Sequence, residues 1–305
     1  MTAIGRASGR DPGTVRPMDQ PTRSRTVPWD APALRTALVA PAGPWARLDV
    51  VERVGSSNAE LLAAAAAGAP DRSVLVAEQQ DAGRGRLGRH WVTPPSTGLA
   101  VSVLLRPAEV SPDRYGWLSL VAGLALHDVV RDLVPVRVCL KWPNDLLLGA
   151  EQRKAAGILA EATTGPDGTA VVLGVGVNVG GARDDLPDGA TSLAAEGAAG
   201  LDRNALLIAM LTRLAERESA WRAAGGDPEA DRLRADYREA CGSLGAQVRV
   251  ELPGGMTVAG WAEDVDDDGR LLVLGADGQR RAIAAGDVVH VRPADRDDRV
   301  PSNHR

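Results

Sequence analysis

The stretch Gly83-Arg84-Gly85-Arg86-Leu87-Gly88-Arg89-His90-Trp91 decides how this chain is read. It alternates glycine with arginine in a protein whose formal net charge is -5. Glycine lets backbone approach a ligand closely and adopt positive φ. Arginine offers a planar fork of donors to phosphate or carboxylate. A loop with both is suited to wrapping an anion. It also satisfies G-x-G-x-x-G, the dinucleotide fingerprint, and that reading has a structural requirement: the glycines must follow a strand and open a helix. Ser73–Glu78 reads as the strand leading in, but Trp91-Val92-Thr93-Pro94-Pro95 follows the loop, and then a strand at Leu99–Arg106. Two prolines there exclude a helix opening. The unit is strand–loop–strand, which disfavours a nicotinamide dehydrogenase.

Working outward, residues 1–44 carry seven prolines among Gly and Arg. They are expected to be disordered, with a short helix near Pro32–Ala40. Arg47–Val54 reads as a strand. Ser57 and Glu60 form a capping-box pattern ahead of an alanine-rich helix to about Ala67. Asp113–Leu133 is a long apolar helix behind Ser111-Pro112. Val136–Leu140 is a strand that delivers Lys141-Trp142-Pro143-Asn144-Asp145, and Leu146–Leu148 continues as strand. Lys154–Ala162 and Ala170–Val179 are strands joined by Gly165-Pro166-Asp167-Gly168. The second of them carries Gly174 and Gly176 between apolar residues, and glycine in a strand often marks close approach of a ligand or another backbone. Asp202 caps a helix to about Arg222, and another covers Pro228–Ala240.

After Gly242 the texture changes. Gln247–Leu252, Met256–Glu263, Arg270–Gly275, Arg280–Ile283 and Val288–Arg292 are short strands separated by Gly-rich turns, a pattern that predicts a small β-barrel. The organisation expected is a tail (1–44), an α+β domain with a mixed, largely antiparallel sheet (45–242), a small β domain (243–293) and a second tail (294–305).

Composition narrows the function classes. No apolar run reaches the ~20 residues of a membrane helix, and no signal peptide is evident, so the cytoplasm is the default. Cys139 and Cys241 are the only cysteines, and the four histidines are scattered, which gives no metal or disulfide pattern. A mildly acidic chain is a poor nucleic-acid binder. Of 35 basic residues only Lys141 and Lys154 are lysines, and both fall within 14 residues beside the W-P-N-D turn. In so arginine-rich a chain, a retained lysine suggests a site where a compact point charge serves and a fork does not. No Ser-His-Asp or nucleophilic cysteine constellation is visible. Cationic donors without a protein nucleophile fit transfer between two bound substrates, with positioning and electrostatics carrying the catalysis. Trp91 and Trp142 read equally as core residues or as ligand contacts. Asp145 reads as a turn residue or a magnesium ligand, Cys139 as a small core residue and His90 as a surface residue.

Taken together, Gly83–Trp91, Lys141–Asp145, Lys154-Ala155-Ala156-Gly157-Ile158-Leu159, Gly176-Val177-Asn178, Ser56-Ser57-Asn58 and Gln80 resemble the biotin protein ligases over residues 45–293. The resemblance implies a catalytic domain like that of class II aminoacyl-tRNA synthetases and an SH3-like C-terminal barrel. It also implies two steps: biotin and MgATP give biotinyl-5′-adenylate, and a lysine of a biotin carboxyl carrier domain of an acyl-CoA carboxylase then takes the biotin. By the same resemblance Ser56, Ser57, Asn58, Gln80, Arg84, Gly85, Arg86 and Lys141 hold biotin. Arg84, Arg86, Arg89, Trp91, Asn178 and Arg292 hold ATP or the adenylate, and Lys141 and Arg86 are catalytic. Metal ligands are not legible. The loop is expected to be mobile without ligand. The alternatives are a lipoate-type ligase of similar fold and a biotin-sensing repressor; residues 1–44 offer no winged helix, so no sequence-specific DNA binding is expected. The state expected is a monomer or weak homodimer.

Overall fold

In a computed structural model, residues 28–92, 95–165 and 167–290 are described. A seven-stranded sheet forms the frame. Its strands are β1 (Arg47–Val54), β2 (Ser73–Gln80), β3 (Gly98–Leu105), β4 (Val138–Lys141), β5 (Asp145–Leu148), β6 (Arg153–Gly165) and β7 (Gly168–Asn178), in the order β1-β2-β3-β7-β6-β5-β4. β1 and β2 run parallel across α2 (Ser57–Ala66); every other pairing is antiparallel. The sheet is therefore mixed and largely antiparallel, as expected. β3 is buried at every position, in keeping with a central strand covered on both faces.

One face is covered by α3 (Gly116–Val130) and α4 (Arg203–Ala223). α3 buries ten of its residues, Trp117, Leu118 and Leu120 among them, as a helix apolar all round must. On the other face, Leu61 and Ala65 of α2 pack with Leu75, Leu104, Ala170 and Val172. α2 thus lies above the middle of the sheet, over β2, β3, β6 and β7.

Of the expected tail, residues 1–27 lie outside the described residues; the short helix expected near Pro32–Ala40 is present, and the disorder expected around it is corrected between 28 and 44. α1 (Ala31–Leu38) forms there, capped by Asp30, and buries Leu34 and Leu38 completely. Trp45 is 1% exposed beside it. The proline count gave disorder, but Pro32 sits in the first helical turn, where it costs no hydrogen bond. The helix expected over Pro228–Ala240 is also shorter. Asp231 and Arg232 take φ of 48° and 59°, and α5 (Leu233–Ala240) begins only after them.

The last unit is a five-stranded antiparallel sheet of β8 (Ala246–Glu251), β9 (Thr257–Val265), β10 (Leu271–Leu274), β11 (Arg280–Ile283) and β12 (Asp287–His290), in the order β11-β10-β9-β8-β12. It is clamped to the first unit by two indoles. Trp117 Nε1 donates to Asp267 O at 3.0 Å, and Trp142 Nε1 to Gly269 O at 3.1 Å. Trp142, at 1% exposure, is a core residue at this junction rather than a ligand contact.

Candidate active site

The site is built where α2, the loop, β6, β7 and β12 converge. Ser56 is the N-cap of α2, its hydroxyl accepting from Ala59 N at 3.4 Å. This moves the capping role one residue from Ser57. Ser57 is instead the first helical residue, and its N–H and Oγ both donate to Gln80 Oε1, at 2.9 and 3.0 Å. The hydroxyl is thereby released from capping and turned to the cavity. Ser102 Oγ, fully buried, lies 2.7 Å from Ser57 Oγ and 2.6 Å from Asn58 Oδ1. Asn58 Nδ2 donates to Glu161 at 2.9 Å. Ser56, Ser57, Asn58 and Gln80 make one polar end of the cavity, with Ser102 and Glu161 bonded to Asn58.

The loop closes over this end as a tight turn. Gly85 N donates to Arg89 O at 2.7 Å, and Trp91 N to Gly83 O at 2.9 Å. Its arginines go to three different elements. Arg84 pairs with Glu161 of β6 at 3.3 Å, Arg86 donates to Asn144 Oδ1 at 3.3 Å, and Arg89 pairs with Asp287 of β12 at 2.8 Å. Burial lowers the Arg86 pKa, against the pull of Asp287 and Asp145. The mutual repulsion of the loop arginines is therefore offset by acceptors the chain itself supplies.

The cationic centre lies beyond the loop. Asp145, 5% exposed, sits 3.1 Å from Lys141 Nζ and 2.6 Å from Lys154 Nζ. Asp287 stands 3.7 Å from Lys141 Nζ. Both lysines of the chain thus meet at one carboxylate. Asp145 and Asp287 face four cations here, the two lysines with Arg86 and Arg89, so an excess positive charge is left for an anionic ligand. The Trp91 ring forms a wall, with Lys154 Nζ 5.8 Å from its centroid. Gly176 lies directly beneath it, where a Cβ would come 2.3 Å from the ring; a Cβ on Gly174 would come equally close to Asn58 Oδ1. Both strand glycines therefore mark close approach, as the sequence suggests.

The side chains described above, apart from Ser102 and Glu161, line one cavity of about 970 Å³. It brings together Ser56, Ser57, Asn58, Gln80, Arg84, Gly85, Arg86, Arg89, Trp91, Lys141 and Asn178, every sequence-derived site residue among those described. Arg292 lies outside the described residues. Asn178 donates to Thr191 O at 3.0 Å. The structure adds Asp145, Lys154, Glu161, Ser102 and Asp287. Lys154 had a signal in the lysine scarcity, and Ser102 in being a lone hydroxyl within an apolar strand. Asp287 had none, because its distance from Lys141 is set only by how the two units dock. His90 is exposed, and Cys139 is buried with its thiol pKa pushed up by desolvation, as a small core residue would be.

Such a cavity, with a polar end, a cationic middle and a second unit closing one side, suits a ligase that activates an acid. Comparison with known proteins narrows the class. Residues 51–178 match the Biotin/lipoate A/B protein ligase family, and residues 243–291 match the Biotin protein ligase C terminal domain. The chain is 46% identical over 269 residues to a biotin–[acetyl-CoA-carboxylase] ligase of Mycobacterium tuberculosis, covering 87% of this chain and 97% of that protein. It is 34% identical to the protein of that name from Paracoccus denitrificans, covering 78% of this chain and 98% of that one. The solved biotin protein ligase of Aquifex aeolicus, in complex with biotin and ATP, superposes with a TM-score of 0.66 at 25% identity, covering 81% of this chain and all of that one. The chain belongs to the biotin/lipoate A/B protein ligase family.

Proposed function

We propose that this chain is an ATP-dependent biotin protein ligase, acting on a lysine of the carrier domain of a biotin-dependent carboxylase. The observation that carries the reading is the convergence of a donor–acceptor end and a two-lysine centre in one cavity. A cyclic urea needs acceptors for two N–H groups and donors for one carbonyl oxygen. Ser57, Gln80 and Asn58 supply both kinds, with Ser102 holding Ser57 and Asn58 in place. Apolar contact for the fused rings and chain comes from Trp91 and Ile158, which line the cavity between the two ends.

In the first step a biotin carboxylate oxygen attacks the α-phosphorus of ATP. The bond from that phosphorus to the bridging oxygen of the β-phosphate breaks, and pyrophosphate leaves. Lys141, Lys154 and Arg86 stabilise the carboxylate against the phosphate and the charge that builds between them. In the second step the neutral ε-amine of the acceptor lysine attacks the acyl carbon, the anhydride C–O bond breaks, AMP leaves, and the amine nitrogen gives up a proton. Arg84, Arg86 and the Gly85 backbone close over the mixed anhydride and keep water from it. Asn178 and Arg89 face the nucleotide side. Among the described residues, no group of three or more His, Cys, Asp or Glu could hold a metal alone. Magnesium carried on nucleotide phosphates needs only one or two carboxylates; Asp145 and Asp287, which line the cavity, would hold it in exchange for their lysine and arginine partners. Bound there, it would supply further charge neutralisation.

No helix among the described residues is long and apolar enough to cross a membrane. The reading places the enzyme in the cytoplasm as a monomer or weak homodimer, without sequence-specific DNA binding. The test is mass spectrometry of a carrier domain incubated with the full chain, biotin and ATP. A biotin mass increment on one lysine is expected. Its absence, or an increment only when lipoate replaces biotin, overturns the reading. Lys141→Ala should cut kcat by roughly 10²–10³-fold, the scale of losing one group aimed at transition-state charge. Folding should persist, because that side chain is not part of the core.

A further inference from the structure

Behind the cavity lies a buried ion pair that the mechanism does not use. Arg203 is the first residue of α4, where the helix dipole disfavours a cation. Its side chain is only 5% exposed. A buried cation in that position needs a strong compensating partner. The partner is Glu78 of β2, two residues before Gln80: Arg203 Nη2 lies 3.1 Å from Glu78 Oε2, and Nη1 donates to Gly98 O at 3.0 Å. Glu78 Oε1 accepts from Ser96 N at 2.6 Å and from its hydroxyl at 3.2 Å. Ser96 takes φ of +66°, a strained choice for a residue with a side chain, which must be held from outside. The next residue, Thr97, accepts from Val179 N at 3.0 Å and Gly180 N at 2.6 Å, just past Asn178. One ion pair therefore fixes the strand bearing Gln80, the turn on the trailing side of the Gly-Arg loop, and the end of β7.

The other side of Arg203 is covered by the N-terminal segment. The Trp29 ring lies 4.5 Å from the guanidinium carbon. Asp30 N donates to Asn204 Oδ1 at 2.9 Å, and Asn204 Nδ2 donates to Pro28 O at 3.3 Å. Residues 28–30 are thus tied to the same helical turn that grips the cavity wall.

We propose that Trp29, Arg203 and Glu78 form a strut by which the N-terminal segment sets the pose of the ligand cavity, with Arg203 a positioning residue for retention of the acyl-adenylate. The inference rests on the ligase reading above. Stacking of an aromatic face on a desolvated guanidinium restricts its fork to one orientation. That orientation holds the Glu78 carboxylate on Ser96, so loosening Trp29 frees the trailing side of the loop without touching a ligand contact.

The test compares Arg203→Met, Trp29→Leu and Trp29→Phe with the parent, all in the full chain. Three quantities are read: KM for biotin against kcat, the release rate of preformed biotinyl-5′-adenylate, and hydrogen exchange at the Ser96 amide. Arg203→Met and Trp29→Leu should raise KM and adenylate release roughly tenfold, the scale of a small misplacement of binding groups. Their kcat at saturation should change far less, and Ser96 exchange should quicken. Trp29→Phe keeps a π face and should behave like the parent. Parent-like KM, release and exchange in folded Trp29→Leu overturn the strut, as does Trp29→Phe failing as badly as Trp29→Leu. Should Arg203→Met not fold, Trp29→Leu decides alone. A parent that makes no adenylate from biotin overturns the ligase reading instead, and Ser96 exchange still judges the strut.

Discussion

A Cβ on Gly176 would lie 2.3 Å from the Trp91 indole, so the ring and any larger residue cannot share that space. Gly176→Ala should displace the ring from its seat over β7. The cost of such overpacking, ~1–3 kcal/mol, should fall on ligand binding rather than on folding, because Trp91 walls the cavity and is not part of the core. Isothermal titration with biotin should show the loss while the melting temperature changes little; unchanged affinity would show that the ring is not a wall of the biotin site. The glycine was legible in the sequence as a mark of close approach, but the partner was not. Trp91 and Gly176 are far apart in the chain, and only the β3–β7 pairing brings them together. The same holds for Asp145: its spacing from Lys141 suggested a turn, while its role between two lysines depends on the β5–β6 register that places Leu147 opposite Lys154.

Elements were legible wherever local signals agreed with burial. The all-buried β3 and the five short C-terminal strands follow from the apolar pattern and turn glycines. The errors came where a local signal had two possible owners. Ser56 and Ser57 can each cap α2, and the choice between them is made by Gln80, which takes both Ser57 donors. This separates two roles that a sequence merges. Ser56→Ala should lower stability by about 1 kcal/mol, the usual cost of losing an N-cap, with a small effect on KM. Ser57→Ala should raise KM for biotin with little effect on thermal unfolding. The reverse pattern in paired melts and kinetics would return the cap to Ser57. The loop carries its own prediction. The Arg84 and Arg89 ion pairs are partly exposed and worth little individually. Amides of residues 83–91 should therefore exchange readily in the free protein and become protected with biotin and ATP. No gain in protection would mean that the turn is rigid before ligand arrives.

At the scale of the whole molecule, the cavity depends on helices that never touch it. α3 supports β4–β7 from behind, and its outer end is fastened to α4, and through it to α5, by two carboxylates on one arginine. Asp128 accepts from Arg217 Nε at 2.8 Å, and Arg217 Nη1 reaches Asp236 of α5 at 3.1 Å. Burial pushes the Asp128 pKa up, but neighbouring His127, 3.8 Å away, and the Arg217 hydrogen bond overcome it, and the carboxyl titrates below its ordinary value. The sign follows from linkage. A folded-state pKa below the unfolded one means that the unfolded chain binds the proton first. The stabilisation is present above the unfolded carboxylate pKa, about 4, and is lost as pH falls through the lower folded value. Asp128→Asn should cost ~1–3 kcal/mol at neutral pH, because it leaves Arg217 without its main acceptor. The deficit should shrink in acid, where the parent loses the same charge. Melting temperatures of both proteins across pH 2.5–7 would therefore converge at the acid end. Curves that stay parallel would show that the carboxylate charge does not tie the three helices together, and that their packing alone holds the sheet beneath the cavity.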